Sequence, residues 1–444
     1  FQAEDGIRDR SPSRGLGDVY KRQTFILALV VVVALAFDFT NGFHDTGNAM
    51  AASIATGALS PKRAVGLAAI LNLVGALLSV EVALTVSNAV VNLQDSKGLP
   101  KPELMANDGR MLLLIVFGGL IGGIIWNLFT WLLGLPSSSS HALLGGLVGG
   151  TIGALGFAGV KWAGDGSKID GVIGKVLIPS LLSPVIAMIV AATATRIIFM
   201  ITARIEDKFR ERRFRWGQVG AASLVSLAHG TNDAQKTMGV ITLALVAGGT
   251  VSSTAVYVPL WVKLSAATAI ALGTYLGGWR IIRTMGKGLV DISSPQGLAA
   301  DSSSATVILA SSQLGFALST THVATGSIMG VGVGRKGASV RWSVAGRMVA
   351  AWAITFPAAA VMGAIMYWIA NGLGGVVGPL VVFAILCGLS FYMWKRSRHN
   401  VVDHTNVTDE WHDGTKPEVA VAAHDIIDLH HELDEPQPAG PATH

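Results

Sequence analysis

The stretch "FDFTNGFHDTGNAMAASIATGALS", Phe37–Ser60, decides how this chain is read. It follows the apolar run "FILALVVVVALA" and sets Asp38, Asn41, His44, Asp45 and Asn48 where hydrocarbon should continue. A second stretch, "SLAHGTNDAQKTMGVITLALVAGG", Ser226–Gly249, echoes it with His229, Asn232 and Asp233. An Asp at a bilayer centre costs about 2.5–3.5 kcal/mol even on insertion scales, so such residues mark a functional site by default.

The surrounding composition makes the bilayer the relevant solvent. Of 444 residues, 51% are hydrophobic and only 14% charged, against roughly a quarter charged in soluble domains. Apolar runs at Arg63–Val90, Met111–Gly134, Val172–Ile201, Ala345–Ala370 and Leu373–Trp394 each reach the ~18 residues that a membrane helix needs. An all-α polytopic membrane protein is expected, and the short alternating segments of a β-barrel are not found. Most of the 53 glycines read as close helix packing. The formal charge of +5 records loop topology rather than a nucleic-acid partner. Cys387 is the one cysteine, so no disulfide framework or thiolate metal site is expected. No nucleophile–base pair or metal-ligand set stands out, which argues against an enzyme, a resident metal or a cofactor.

The chain repeats itself. Gly42-Phe43-His44-Asp45 aligns with Gly230-Thr231-Asn232-Asp233 at an offset of 188, and "PSSSSHALLGGLVG" (Pro136–Gly149) aligns with "ALSTTHVATGSIMG" (Ala317–Gly330) at 181. Two motifs in the same order at nearly one offset define a two-fold repeat. Basic residues follow the first motif (Lys62, Arg63) and join the halves (Arg204–Trp216), while the loop matching Lys62 is the uncharged "AGGTVSST". Corresponding loops therefore fall on opposite sides of the membrane, an inverted-topology repeat typical of secondary transporters. The expected organisation is a polar, scar-like segment at 1–23, a first repeat at 24–203 and a basic cytoplasmic linker at 204–216. A second repeat with a final helix fills 217–394, and a polar, disordered tail 395–444. Seven of the eleven histidines fall in that tail, at a spacing that fits no closed metal site. Re-entrant hairpins bring the expected total to about 10–12 membrane segments.

Asp45 and Asp233, in equivalent places of two inverted halves, should meet at the repeat interface. There they can bind Na⁺ together with amide and backbone oxygens, or share protons. "SSSSH" and "STTH" read as helix starts, where hydroxyls cap free N–H groups. Two such ends facing one another suit a tetrahedral oxyanion; simple capping is the alternative. Lys236, three residues past Asp233, either neutralises it or attracts an anion, or else snorkels to the surface. His44, His141, His229 and His322 all lie in the repeated motifs, where they serve either as hydrogen-bonded structural groups or as a proton relay. Asp38, Glu81, Lys263, Asp291 and Asp301 lack clear repeat partners and read as helix-end or interface residues.

"NGFHDTGNA" with "AHGTNDAQKTMGV", and "PSSSSHALLGG" with "STTHVATGSIMGVG", resemble the paired signatures of the inorganic phosphate transporter (Pit) family, over about Thr24–Trp394. The resemblance implies a secondary active phosphate symporter of the plasma membrane, built from inverted repeats and often a homodimer. It places coupling-ion binding on Asn41, Asp45, Asn48, Asn232 and Asp233, and phosphate binding on Ser139, Ser140, Thr320 and Thr321. His44 stands where sodium-coupled relatives carry Asn, and Asn72 where many carry an intramembrane Glu. Both features resemble bacterial proton-coupled members, some of which carry phosphate as a neutral complex with a divalent metal. The expectation is proton-coupled import, with Na⁺ coupling or a passive oxyanion channel as alternatives.

Overall fold

In a computed structural model of the chain, residues 12–78, 83, 104, 109–163, 171–252, 256–313, 318–337 and 339–411 are described. The first half contains α1 (Pro12–Ala55), α2 (Pro61–Leu78), α3 (Arg110–Leu132), α4 (Ser139–Leu155) and α5 (Ile178–Ile201). The second contains α6 (Asp207–Ala247), α7 (Leu260–Leu276), α8 (Trp279–Arg283), α9 (Ser294–Gln313), α10 (Thr320–Gly334) and α11 (Trp342–Gly372); α12 (Val377–Ser397) follows. Among the described residues, β structure is limited to isolated bridge residues, including an antiparallel bridge between Val290 and Val340.

Six described segments are long and apolar enough to cross a bilayer: Lys21–Ala55, α2, α3, Ile173–Ile201, α11 and α12. A seventh is the pair Leu260–Leu276 and Trp279–Gly288, bent by 59° at its break. The remaining α4, α6, α9 and α10 do not qualify by length and hydropathy. At 1.5 Å per residue, the 17 residues of α4 and 15 of α10 extend only about 26 and 23 Å, short of a ~30 Å hydrocarbon core. That length fits the re-entrant reading. The most buried span is α3, packed along α4, α11, α12 and α1.

Helix pairing repeats with the sequence. α2 of the first half packs on α6 of the second, and α7 of the second packs on α1 of the first. Matching glycines set both contacts. A Cβ on Gly75 would run into the Leu227 carbonyl and lie 3.0 Å from Thr231 N; one on Gly273 would run into the Phe39 carbonyl and lie 3.0 Å from Phe43 N. Likewise α4 crosses α11 where Gly145 meets the Phe356 carbonyl, and α10 crosses α5 where Gly326 meets the Pro184 carbonyl. Between α1 and α6 the numbering runs in opposite directions. Asp38 faces Thr237 (2.6 Å) while Asp45 faces His229 (3.7 Å), so these two equivalent helices are antiparallel where they meet.

Some expected boundaries fall differently. Residues 12–23 continue α1 rather than standing apart, and 1–11 lie outside the described residues. The basic stretch 204–216 is a turn only as far as Glu206 and then forms the first turns of α6. Of the tail, 412–444 lie outside the described residues, and Glu81 does too. The part through residue 408 is ordered against the body: the Arg280 guanidinium donates to the Ser397 carbonyl (2.9 Å) and the Asn400 carbonyl (2.5 Å). Thr405 donates to Asp403 through both its hydroxyl and its backbone N–H, holding that carboxyl below the ordinary carboxylate range.

Candidate functional site

The site begins with one face of α1. Asp38, Asn41, Asp45 and Asn48 follow each other at spacings of three, four and three residues, which in an α-helix is a single stripe; all four are buried. The antiparallel α6 lays His229, Asn232, Asp233, Lys236 and Thr237 in the same interior, also buried. The starts of α4 and α10 close the site with Ser137–Ser140 and Ser319–Thr321. These starts are capped alike: the Ser138 hydroxyl accepts from His141 N–H (3.2 Å), and the Ser319 hydroxyl from His322 N–H (3.3 Å).

The two carboxylates of the repeat do meet, through a histidine. His229 Nε2 lies 3.1 Å from Asp233 Oδ2 and 3.7 Å from Asp45 Oδ2. On its other side, His229 Nδ1 lies 3.3 Å from Asn72 Oδ1, while Asn72 Nδ2 donates to Thr274 (2.8 Å). Oxygen atoms thus lie near both ring nitrogens, although Nε2 and Asp233 Oδ2 form no hydrogen bond in this arrangement. Asp45 Oδ1 contacts His44 Nδ1 (2.8 Å) and accepts from the Ser139 hydroxyl (3.0 Å). His44 Nε2 lies 3.2 Å from Thr130 Oγ1 and 3.3 Å from Ser137 Oγ, which can donate to it when its proton is on Nδ1. Asp233 Oδ1 accepts from Lys236 Nζ (2.6 Å), which also donates to Ser140 Oγ (2.6 Å). Asn48 Nδ2 donates to Thr320 (3.2 Å) and Thr321 (3.0 Å). Every expected phosphate-binding hydroxyl therefore touches an expected ion-binding side chain or Lys236.

The four motif histidines divide. His44 and His229 contact carboxylates, whereas His141 and His322 stack edge-to-face at 5.0 Å between their ring centroids, one from each half. His141 Nε2 lies 3.0 Å from Ser180 Oγ, and the His322 ring packs 4.3 Å from that of Trp352. A relay through all four is not built; only His44 and His229 adjoin Asp45 and Asp233.

Three oxygens of the α1 stripe, Asp38 Oδ2, Asn41 Oδ1 and Asn48 Oδ1, are buried without a hydrogen-bond donor. Side-chain oxygens in that condition are suited to a cation. Asp45, His229 and Asp233 also bring ligand atoms within 4.8 Å of one another, a set able to hold a metal ion. The sequence alone did not single out this N,O set as metal-binding.

Asp38 corrects its reading as a helix-end residue: it is fully buried one turn from the ion cluster and accepts from Thr237. Its seven-residue separation from Asp45 is the signal that could have found it. Asp301 is likewise buried, accepting from Ser53 (3.3 Å) and Gln218 (3.4 Å). Thr130, Ser137, Asn72 and Thr274 join the site without having been expected there as contacts; each lies outside the quoted ion motifs and is brought in by tertiary packing. Asp291 is exposed and pairs with Arg341 at 2.8 Å.

A family profile described as the phosphate transporter family matches residues 41–363. The chain is 56% identical over 389 residues to a "Probable low-affinity inorganic phosphate transporter" of Mycobacterium bovis, covering 88% of each chain. It is 40% identical over 343 residues to a Bacillus subtilis protein of the same description, covering 77% of this chain and 96% of the relative. Its fold is similar, with a TM-score of 0.64 at 21% identity, to a solved structure described as "The sodium-dependent phosphate transporter", covering 79% of this chain and 100% of that one.

Proposed function

This chain belongs to the phosphate transporter family, and from that premise we propose a symporter that imports inorganic phosphate coupled to protons. It is a phosphate transporter, not an enzyme, and a multi-pass protein of the membrane, in a bacterium the plasma membrane.

One observation carries the choice of coupling ion: His229 stands between the Asp45 and Asp233 carboxylates, its Nε2 3.7 and 3.1 Å from them, with Asn72 at its Nδ1. A titratable cation placed between two carboxylates from different halves links a proton to the contact between those halves. In this reading Asn41, Asp45, Asn48, Asn232 and Asp233 hold the coupling ion. Phosphate lies at the starts of α4 and α10, on Ser139, Ser140, Thr320 and Thr321, where helix N-termini and hydroxyls favour an oxyanion. His44 and His229 tune charge beside the carboxylates. A divalent metal travelling with phosphate as a neutral complex would find N and O donors in the Asp45–His229–Asp233 group. The antiparallel crossing of α1 and α6 supports inverted halves around this site, and a homodimer is the assembly that the family resemblance implies.

Sodium coupling is the second reading. It is favoured by the unpartnered amide oxygens of Asn41 and Asn48, because hard cations prefer oxygen ligands. Phosphate uptake into proteoliposomes under imposed pH or Na⁺ gradients separates the two. Accumulation above equilibrium that follows the pH gradient and collapses with an uncoupler is expected. Accumulation that follows Na⁺ alone would replace the proton by sodium, and equilibration without accumulation would mean a channel.

A further inference from the structure

The two halves differ at one matched position inside the site. Asn48 and Lys236 are equivalent at the offset of 188 that relates Asp45 to Asp233, and Thr321 and Ser140 are equivalent at the offset of 181. The contacts are equivalent too: Asn48 Nδ2 donates to Thr321 Oγ1 at 3.0 Å, and Lys236 Nζ to Ser140 Oγ at 2.6 Å. The same place in the fold therefore holds an amide in one half and an ammonium in the other.

The chemical consequences are opposite. The Asn48 side chain is buried and its Oδ1 has no donor, so the first half offers a free oxygen on the helix face that also carries Asn41 and Asp45. Lys236 has three donors and no acceptor. Its ammonium lies 2.6 Å from Asp233 Oδ1, where it compensates that oxygen's charge as a bound cation would, leaving Asp233 Oδ2 without a hydrogen-bond donor. It is only 2% exposed, so a mobile cation brought to the same carboxylate would meet little-screened repulsion. Asp38, Asp233 and His141 all lie within electrostatic range of the ammonium.

We propose that Lys236 is a tethered cation filling the ion seat of the second half, so that the transporter works with one exchangeable cation fewer than two amide-bearing halves would take. This inference rests on the coupling reading given above and assigns Lys236 the part of setting ion number and selectivity. A snorkelling lysine is ruled out by its burial. A lysine that only attracts phosphate has no need of its equivalence to Asn48 or of its close contact with Asp233.

The test is to give the second half the residue of the first. Wild type, Lys236→Asn, Lys236→Arg and Asn48→Lys are purified and reconstituted, and phosphate uptake is measured with Na⁺ or choline at equal pH on both sides. Lys236→Asn should gain Na⁺ stimulation of about fivefold or more, at the lower end of ordinary linkage between two ligands, with a sodium Hill coefficient one higher than wild type. Lys236→Arg, which keeps a fixed cation beside Asp233, should show no gain in Na⁺ stimulation over wild type, whatever its basal rate. Asn48→Lys should lose any cation stimulation that wild type has. If Lys236→Asn no longer transports, the Na⁺-dependent shift of its melting temperature in detergent reads the same seat: a larger shift than wild type supports the tether, and an equal one overturns it. An unchanged Na⁺ response in transporting Lys236→Asn, or the same gain in Lys236→Arg, also overturns it. A sodium-driven wild type would refute proton coupling alone, since the inference depends only on the difference between variant and wild type.

Discussion

Asp45 and Asp233 occupy equivalent positions but have unequal partners, which separates their expected mutant behaviour. Asp45 is held by His44, Ser139 and, at longer range, His229, whereas Asp233 neutralises a lysine that is itself buried. Asp45→Asn and Asp233→Asn should each abolish concentrative phosphate uptake. Only Asp233→Asn strands a buried ammonium, a loss of about 3–5 kcal/mol when one partner of a buried pair is removed. Its melting temperature in detergent should therefore fall well below that of Asp45→Asn. Equal melting of the two variants would deny the Lys236–Asp233 pair its structural weight, and normal accumulation by either would remove that carboxylate from coupling. Much of this cluster was legible because polar residues inside apolar sequence are costly and the repeat doubled the signal. His229 was legible as a candidate but not as the bridge, since its distance to Asp45 depends on how α1 and α6 cross. Asp38 was misread for a related reason: its counterpart in the second half is Ser226, so duplication gave no cue.

At the scale of elements, the hydroxyl-bearing helices α4 and α10 depend on glycine contacts that place them. Gly326 of α10 sits against the backbone of Pro184 in α5, with the Pro184 Cα 2.8 Å from where a Cβ would stand. Gly145 of α4 sits against Phe356 of α11 in the same way. A methyl group at either position has backbone in its path, so the helix must shift and carry its capped start with it. Overpacking of this kind costs about 1–3 kcal/mol. Gly326→Ala should thus lower both the melting temperature and the apparent phosphate affinity, because Thr320 and Thr321 lie at the moving end. Gly220→Ala and Gly388→Ala, where an added Cβ meets nothing within 4 Å, serve as controls with little change in either measurement. Wild-type affinity in Gly326→Ala would separate the α10 start from phosphate binding. The sequence reading recognised glycine as a packing residue and Ser138 and Ser319 as parts of helix starts. It could not assign which helix each glycine faces, because apolar segments of similar composition look alike until they are packed.

For the whole molecule, the repeat was legible from two motif pairs, and matched glycine contacts now support it from four helix crossings. The direction of the second half is a separate matter, and it was argued from loop charge, a bias rather than a law. The antiparallel meeting of α1 and α6 supplies an independent physical reason for inversion: equivalent helices that run oppositely through one site end on opposite sides. α1 ends at Ala55 and α6 at Ala247, so with both helices crossing the bilayer the turns that follow them are expected to face different compartments. Single cysteines at Lys62 and Thr250, in a Cys387→Ala background, test this with an impermeant thiol reagent on intact cells and on permeabilised ones. Thr250→Cys should label from outside in intact cells, and Lys62→Cys only after permeabilisation. Labelling of both from outside would place the two turns on one side. The halves would then run parallel, and the antiparallel approach of Asp45 to the α6 residues His229 and Asp233 would be impossible in the membrane.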